Sequence, residues 1–166
     1  MRAVFTNDGT SKAWAEQNLG YGRNSTGSMY FRNKSIYSYG WHFEIARFIA
    51  DDVVQLTTRS YSNTTAKHIN SVRNAIPKKA TVIHVPYFHE IEANLNYFIE
   101  RMKSLNYKLE HARTLQRKYK RELREEIKNI DQWKKHCMKP LDNYEKEQLS
   151  TLNLSITLLR AIWNIG

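Results

Sequence analysis

Between Ser35 and Arg73 the chain concentrates groups that hold anions or move protons: Tyr37, Tyr39, Trp41, His42, Phe43, Arg59, Tyr61, Thr64, Thr65, Lys67, His68 and Arg73. Aromatics interleaved with cations suit single-stranded nucleic acid, because bases stack on rings while cations follow the phosphates. Ser62-Asn63-Thr64-Thr65 reads as a helix start, whose unpaired backbone N–H groups attract an anion. Lys67 in the first turn opposes the macrodipole, which favours acidic residues there. A cation at that position is more useful if a phosphate binds.

Two other readings compete. In a small domain roughly half of these aromatics must be core. Alternatively, His42, Arg59, Tyr61 and His68 supply a general acid, an anion clamp and a base for phosphoester chemistry. Against catalysis, the only acids before residue 87 are Asp8, Glu16, Glu44, Asp51 and Asp52, and they show no two-metal spacing. His84 and His89, five apart across Pro86, are a weak metal pair. The expectation is binding without catalytic residues, cofactor or metal. A second cluster, Arg113, Arg117, Lys118, Lys120, Arg121 and Arg124, is opposed within its span by Glu122 alone. It reads either as the solvated flank of a helix or as a phosphate-contacting stripe.

These groups need elements to position them. Ser11–Gln17 predicts a short helix capped by Thr10 or Ser11. Residues 20–27 read as a glycine-rich loop that lacks the pattern of a phosphate or dinucleotide loop; Arg23 within it is a candidate phosphate contact. Ser28–Arg32 and Ser35–Tyr39 flank Asn33-Lys34 as a hairpin. Trp41–Ala50 fits neither period cleanly and is read as a short helix, with strand as the alternative. Val53–Thr58 and Thr81–Val85 predict strands. Between them, Ala66–Ile76 predicts a helix with Ile69, Val72 and Ile76 on one stripe, ended by Pro77.

Residues 87–139 contain neither Gly nor Pro. Ile91, Leu95, Phe98, Met102, Leu105, Leu109 and Ala112 step by four and three, and the register continues through Gln116, Tyr119, Leu123, Glu126, Ile130, Trp133 and Cys137. This predicts one long coiled-coil-like helix. After Pro140 a shorter helix from Tyr144 to Ile165 folds back as a hairpin. The expected architecture is α+β. A 1–86 domain with about four short strands and two or three short helices precedes an 87–166 helical hairpin. Proximal heptads left uncovered would pair two copies, so a homodimer through the 91–137 helix is expected.

Bulk properties agree with a folded polyanion binder. Of 166 residues, 26 are Lys or Arg and 16 Asp or Glu, for a net charge of +10. A strongly basic isoelectric point is the footprint of a nucleic-acid partner; a host nucleic-acid-associated protein is the other partner considered. Residues 1–86 carry +6 and residues 87–166 carry +4. No apolar run approaches the roughly 18 residues of a membrane span, and no secretory leader is evident, so a cytoplasmic protein is expected. Cys137 stands alone, which rules out an intrachain disulfide.

The stretches Ile36-Tyr37-Ser38-Tyr39-Gly40-Trp41-His42-Phe43 and Arg59-Ser60-Tyr61-Ser62-Asn63-Thr64-Thr65-Ala66-Lys67-His68 resemble a domain of uncharacterised tailed-phage proteins, over about residues 12–86. The resemblance implies phage origin and a compact α+β fold, and singles out His42, Arg59, Tyr61, Thr64, Thr65, Lys67 and His68. It carries no activity. For a phage protein, the rival to nucleic-acid binding is an effector of a host protein: an inhibitor of host defence, such as an anti-CRISPR, or a modifier of host transcription.

Overall fold

A computed structural model describes residues 3–166. The chain divides into two compact units, one running to Phe88 and the other from His89 to Gly166. The first unit is a seven-stranded mixed sheet in sequence order: β1 (Val4–Phe5), β2 (Tyr21–Asn24), β3 (Met29–Arg32), β4 (Ser35–Ser38), β5 (Glu44–Ala50), β6 (Val53–Thr57) and β7 (Thr81–Val85). β1 runs parallel to β2, and β6 parallel to β7; the pairs between them are antiparallel. Parallel neighbours need a crossover, and α1 (Asn7–Glu16) and α2 (Asn63–Ala75) supply the two. Both crossovers leave strands of the same sense and step the same way across the sheet. Right-handedness therefore sets both helices on one face.

That face is the core. Trp14 of α1, Phe31, Ile36, Val54 and Leu56 of the sheet, and Val72 of α2 are fully buried. Trp14 donates its indole N–H to the Lys34 carbonyl (3.0 Å) and packs on Phe48. Ser11 and Ser71 join the helices at 2.8 Å, and Ser71 donates onward to Asp8 (2.6 Å).

Seven strands replace the expected four, for three local reasons. β1 is two residues long and has no periodicity to read. β2 lies in the stretch read as a loop because of its glycines. Gly22 is in fact a strand residue against the Phe31 ring, where an added Cβ would come within 2.5 Å of Cε1; a glycine in a strand marks such an approach. β5 replaces the helix favoured for 41–50. Its register shifts between Ile36 and Tyr37 of β4, so that Ala46 and Glu44 are the successive partners and Ile45 is bulged. One inserted residue breaks the period of two, which is why neither template fitted. The hairpin around Asn33 forms as expected, with Asn33 at φ 51°. α1 begins earlier than expected, with Thr6 as its N-cap.

The second unit is not a coiled-coil hairpin. It holds three helices of 21, 22 and 21 residues: α3 (Ile91–His111), α4 (Gln116–Cys137) and α5 (Asn143–Trp163). The expected rod breaks at Ala112–Leu115 without Pro or Gly, and the His111 ring bonds the Tyr107 carbonyl (2.8 Å) at the break. The gain lies in burial. A continuous rod leaves its stripe open, whereas three helices about 32 Å long cover one another. Phe98 meets Trp133 edge-on, Arg101 pairs with Glu126 (3.6 Å), and Trp163 donates to Asn106 (2.9 Å). The heptad register also slips in α4: Ile127, not Glu126, is buried alongside Leu123, Ile130 and Trp133. Desolvation raises the Glu126 pKa, and Arg101 opposes that rise. The Ile91–Leu109 stripe is buried within the chain, so it no longer argues for a dimer through 91–137. The large hydrophobic side chains left exposed on α5 are Tyr144, Leu154, Leu158 and Ile162.

Candidate functional site

The β6–α2–β7 unit builds the site. In open sheets, ligands bind beyond the carboxyl ends of parallel strands, where helix N-termini gather. Thr57 at the end of β6, with Thr58, Arg59 and Ser60 just past it, forms one wall of a cleft of about 320 Å³. Ala66, Ile69, Asn70 and Arg73 of α2 and His84 of β7 form the rest. α2 forms here because Ser62 caps it, accepting from the Thr65 N–H (3.1 Å). Helical side chains lean toward the N-terminus, which carries Arg73 from the last turn back along the cleft.

The cleft is cationic. Arg59 lies over the rings of Tyr61 (5.0 Å) and Tyr87 (4.9 Å), and Arg73 donates to Asn70 Oδ1 (2.6 Å). Among the described residues, no carboxylate pairs with either guanidinium, and no carboxylate lines the cleft. Burial, with Arg73 adding to it, pushes the His84 pKa down. Two uncompensated guanidiniums, the Thr58 hydroxyl and the Asn70 amide form a donor set for a phosphate-like anion, while the Ser60 hydroxyl donates to the Ser62 carbonyl (3.4 Å).

An aromatic rim adjoins the Arg59 wall through ring contacts. Phe43 meets Tyr61 edge-on (4.9 Å), and Tyr39 lies beside His68 (5.7 Å). Tyr39 (φ 55°) and Gly40 (φ 129°) turn the β4–β5 loop outward. Trp41 at its tip is 81% exposed, and Tyr61 is 63% exposed. A large, wet aromatic on a turn of left-handed backbone does nothing for the core.

The sequence-selected residues divide. Arg59, Tyr61 and Arg73 come together at the cleft, while Thr64 and Lys67 are exposed on the first turns of α2. His42 is exposed on the β4–β5 loop, its ring over Gly40. Thr65 and His68 are buried. Thr65 shares a hydrogen bond with Ser62 (3.0 Å), and His68 Nδ1 bonds Ser38 Oγ (2.7 Å). Burial lowers the His68 pKa, keeping the ring neutral. Arg113 and Arg117, Lys118, Lys120, Arg121 and Arg124 belong to the second unit. There Lys118 and Arg121 face Glu122 (4.0 Å) and Glu125 (3.9 Å), and Lys120 lies over Trp163. Sequence reasoning missed Asn70 and the part His84 and Tyr87 play in the cleft. The strand–helix–strand order around α2 was the available signal, since it implies a parallel pair with a crevice at its carboxyl end.

Known proteins add one finding. Residues 10–82 match the model of a family of unknown function (DUF8033). The match takes in most of the sheet, α1 from Thr10 onward, all of α2 and every cleft residue except His84. No curated protein and no solved structure matches the chain. Among the described residues, no three His, Cys, Asp or Glu side chains gather closely enough to hold a metal ion, and no helix is long and apolar enough to cross a membrane.

Proposed function

We propose that the protein binds nucleic acid without catalysing a reaction on it, holding a phosphate in the Arg59–Arg73 cleft and stacking bases on the Tyr61–Trp41 rim. The carrying observation is the pair of guanidiniums, Arg59 past the carboxyl end of β6 and Arg73 on α2, that line one cleft with no carboxylate partner. The net charge of +10 supports the same reading. Phage origin, and with it action in the host cytoplasm, rests on the sequence motif alone.

The test is binding of labelled single strands and duplexes between 50 and 200 mM salt. Each phosphate contact contributes about 0.7 to the log–log slope for a single strand. Arg59→Ala with Arg73→Ala should weaken binding and flatten the slope by about 1.4. An unchanged slope in the folded double variant rejects the cleft as the phosphate site.

The second reading, an effector that binds a host protein, draws on Trp41. Exposed Trp, Tyr and Arg are the residues that anchor protein interfaces. On that reading Trp41→Ala removes capture of a host protein and leaves nucleic-acid affinity unchanged.

A further inference from the structure

The face of the sheet opposite α1 and α2 carries a second set of aromatics and cations. Cross-strand register makes two rows of it on β2, β3 and β4. Arg23, Tyr30 and Tyr37 are successive partners in one row, and Tyr21 and Arg32 are partners in the next. Tyrosine and arginine thus alternate along β2 and along β3, and Tyr37 of β4 sets a second tyrosine beside Tyr30. The Tyr30 and Tyr37 rings stack nearly parallel, 5.1 Å apart at 18°. Arg32 is exposed, Tyr21 is 39% exposed, and Arg23, Tyr30 and Tyr37 are half-buried. Arg23 donates to the Asn24 and Ser25 carbonyls (3.0 and 3.1 Å), which fixes its guanidinium without neutralising it. The one acid at the end of a row, Glu44, is held by Arg47 through two bonds of 2.9 and 3.0 Å. The Ile45 bulge is what places Glu44 and Arg47 on the same face. The tyrosine rows therefore keep a net positive charge.

We propose that this face is a platform for single-stranded nucleic acid, in which bases extend the Tyr30–Tyr37 stack while Arg23 and Arg32 meet the phosphates. The occupant follows from the chemistry of the face. A parallel ring pair accepts a further π-plane, and uncompensated arginines at strand spacing suit a backbone that carries a phosphate beside every base. A duplex hides its base faces and has nothing to offer the rings. Burial and the neighbouring Tyr37 raise the Tyr30 pKa, so that phenol stays neutral through the physiological range. The inference rests on the reading of the cleft for its class of ligand, but on different residues.

The experiment uses the full chain with a labelled 15-nucleotide thymidine or uridine strand and a 15-base-pair duplex, read by anisotropy at 50 mM salt. Tyr30→Leu with Tyr37→Leu keeps apolar bulk on the sheet and removes the rings. Single-strand affinity should fall about tenfold or more, and duplex affinity should stay within about twofold. Arg59→Ala with Arg73→Ala should weaken both probes. If the tyrosine variant is folded by circular dichroism and binds the single strand like wild type, the platform is wrong. If that variant does not fold, photo-crosslinks from 5-iodouridine strands to the wild-type chain decide. Peptides containing Tyr30 or Tyr37 support the platform, and crosslinks confined to other peptides overturn it. Loss on the tyrosine variant alone keeps the platform and rejects the cleft; loss on the cleft variant alone does the reverse. Wild-type protein that binds neither probe at 50 mM salt overturns both.

Discussion

His68 has one ring nitrogen against Ser38 and is closed off from solvent. A histidine in that position supports the joint between α2 and the sheet rather than moving protons for a substrate. Ser38→Ala should cost about 1–3 kcal/mol in urea unfolding, because it leaves a buried nitrogen unpaired; a variant as stable as wild type would show that the bond contributes nothing. The pH dependence follows from the direction of the shift. Burial lowers the folded pKa of His68 below its ordinary 6.5, so the folded state prefers the neutral ring. The associated stability is complete above about pH 6.5 and drains away as pH falls toward the folded value. His68→Gln should flatten the melting temperature between pH 7 and 5. His84 is lowered by burial and by Arg73. An anion in the cleft would offset the Arg73 repulsion, so phosphate binding should tighten as pH drops below 6.5 and be accompanied by proton uptake measurable by calorimetry in two buffers.

Single positions decide whole elements. β2 exists because Gly22 leaves room for Phe31. Gly22→Ala should destabilise by about 1–3 kcal/mol, the usual cost of overpacking, although alanine is otherwise the better strand residue; a neutral result would mean that the Phe31 ring has somewhere else to go. α2 is set by Ser62, and Ser62→Ala should cost about 1 kcal/mol in chemical unfolding. The bulge at Ile45 turns an apolar run into a strand with Glu44 and Arg47 on the far face. Its period resembled neither a helix nor a strand because a bulge belongs to a pair of strands, and the partner strand β4 is not written in the run itself.

In the second unit the Ile91–Leu109 stripe finds its cover within the same chain, whereas Leu154, Leu158 and Ile162 of α5 stay exposed. Leu105→Ala should therefore lose about 2–5 kcal/mol, and the loss should be the same over a wide range of protein concentration; a loss that grows on dilution would mean that the stripe is shared between chains. The sequence by itself determined the charge, the hairpin at Asn33, the strands 53–57 and 81–85, the cap at Ser62 and the α+β character of the first half, because each depends on neighbours a few residues apart. It also singled out Arg59, Tyr61 and Arg73. Only the tertiary structure decided that β6 and β7 are parallel and that Arg59, Arg73 and His84 share one cleft. It also decided that the 87–139 run folds into two helices and that Tyr30 and Tyr37 stack beside Arg23. Those outcomes depend on register between distant strands and on how much surface a stripe can cover. Local spacing encodes neither, because a residue's period says which way it faces and not what stands opposite.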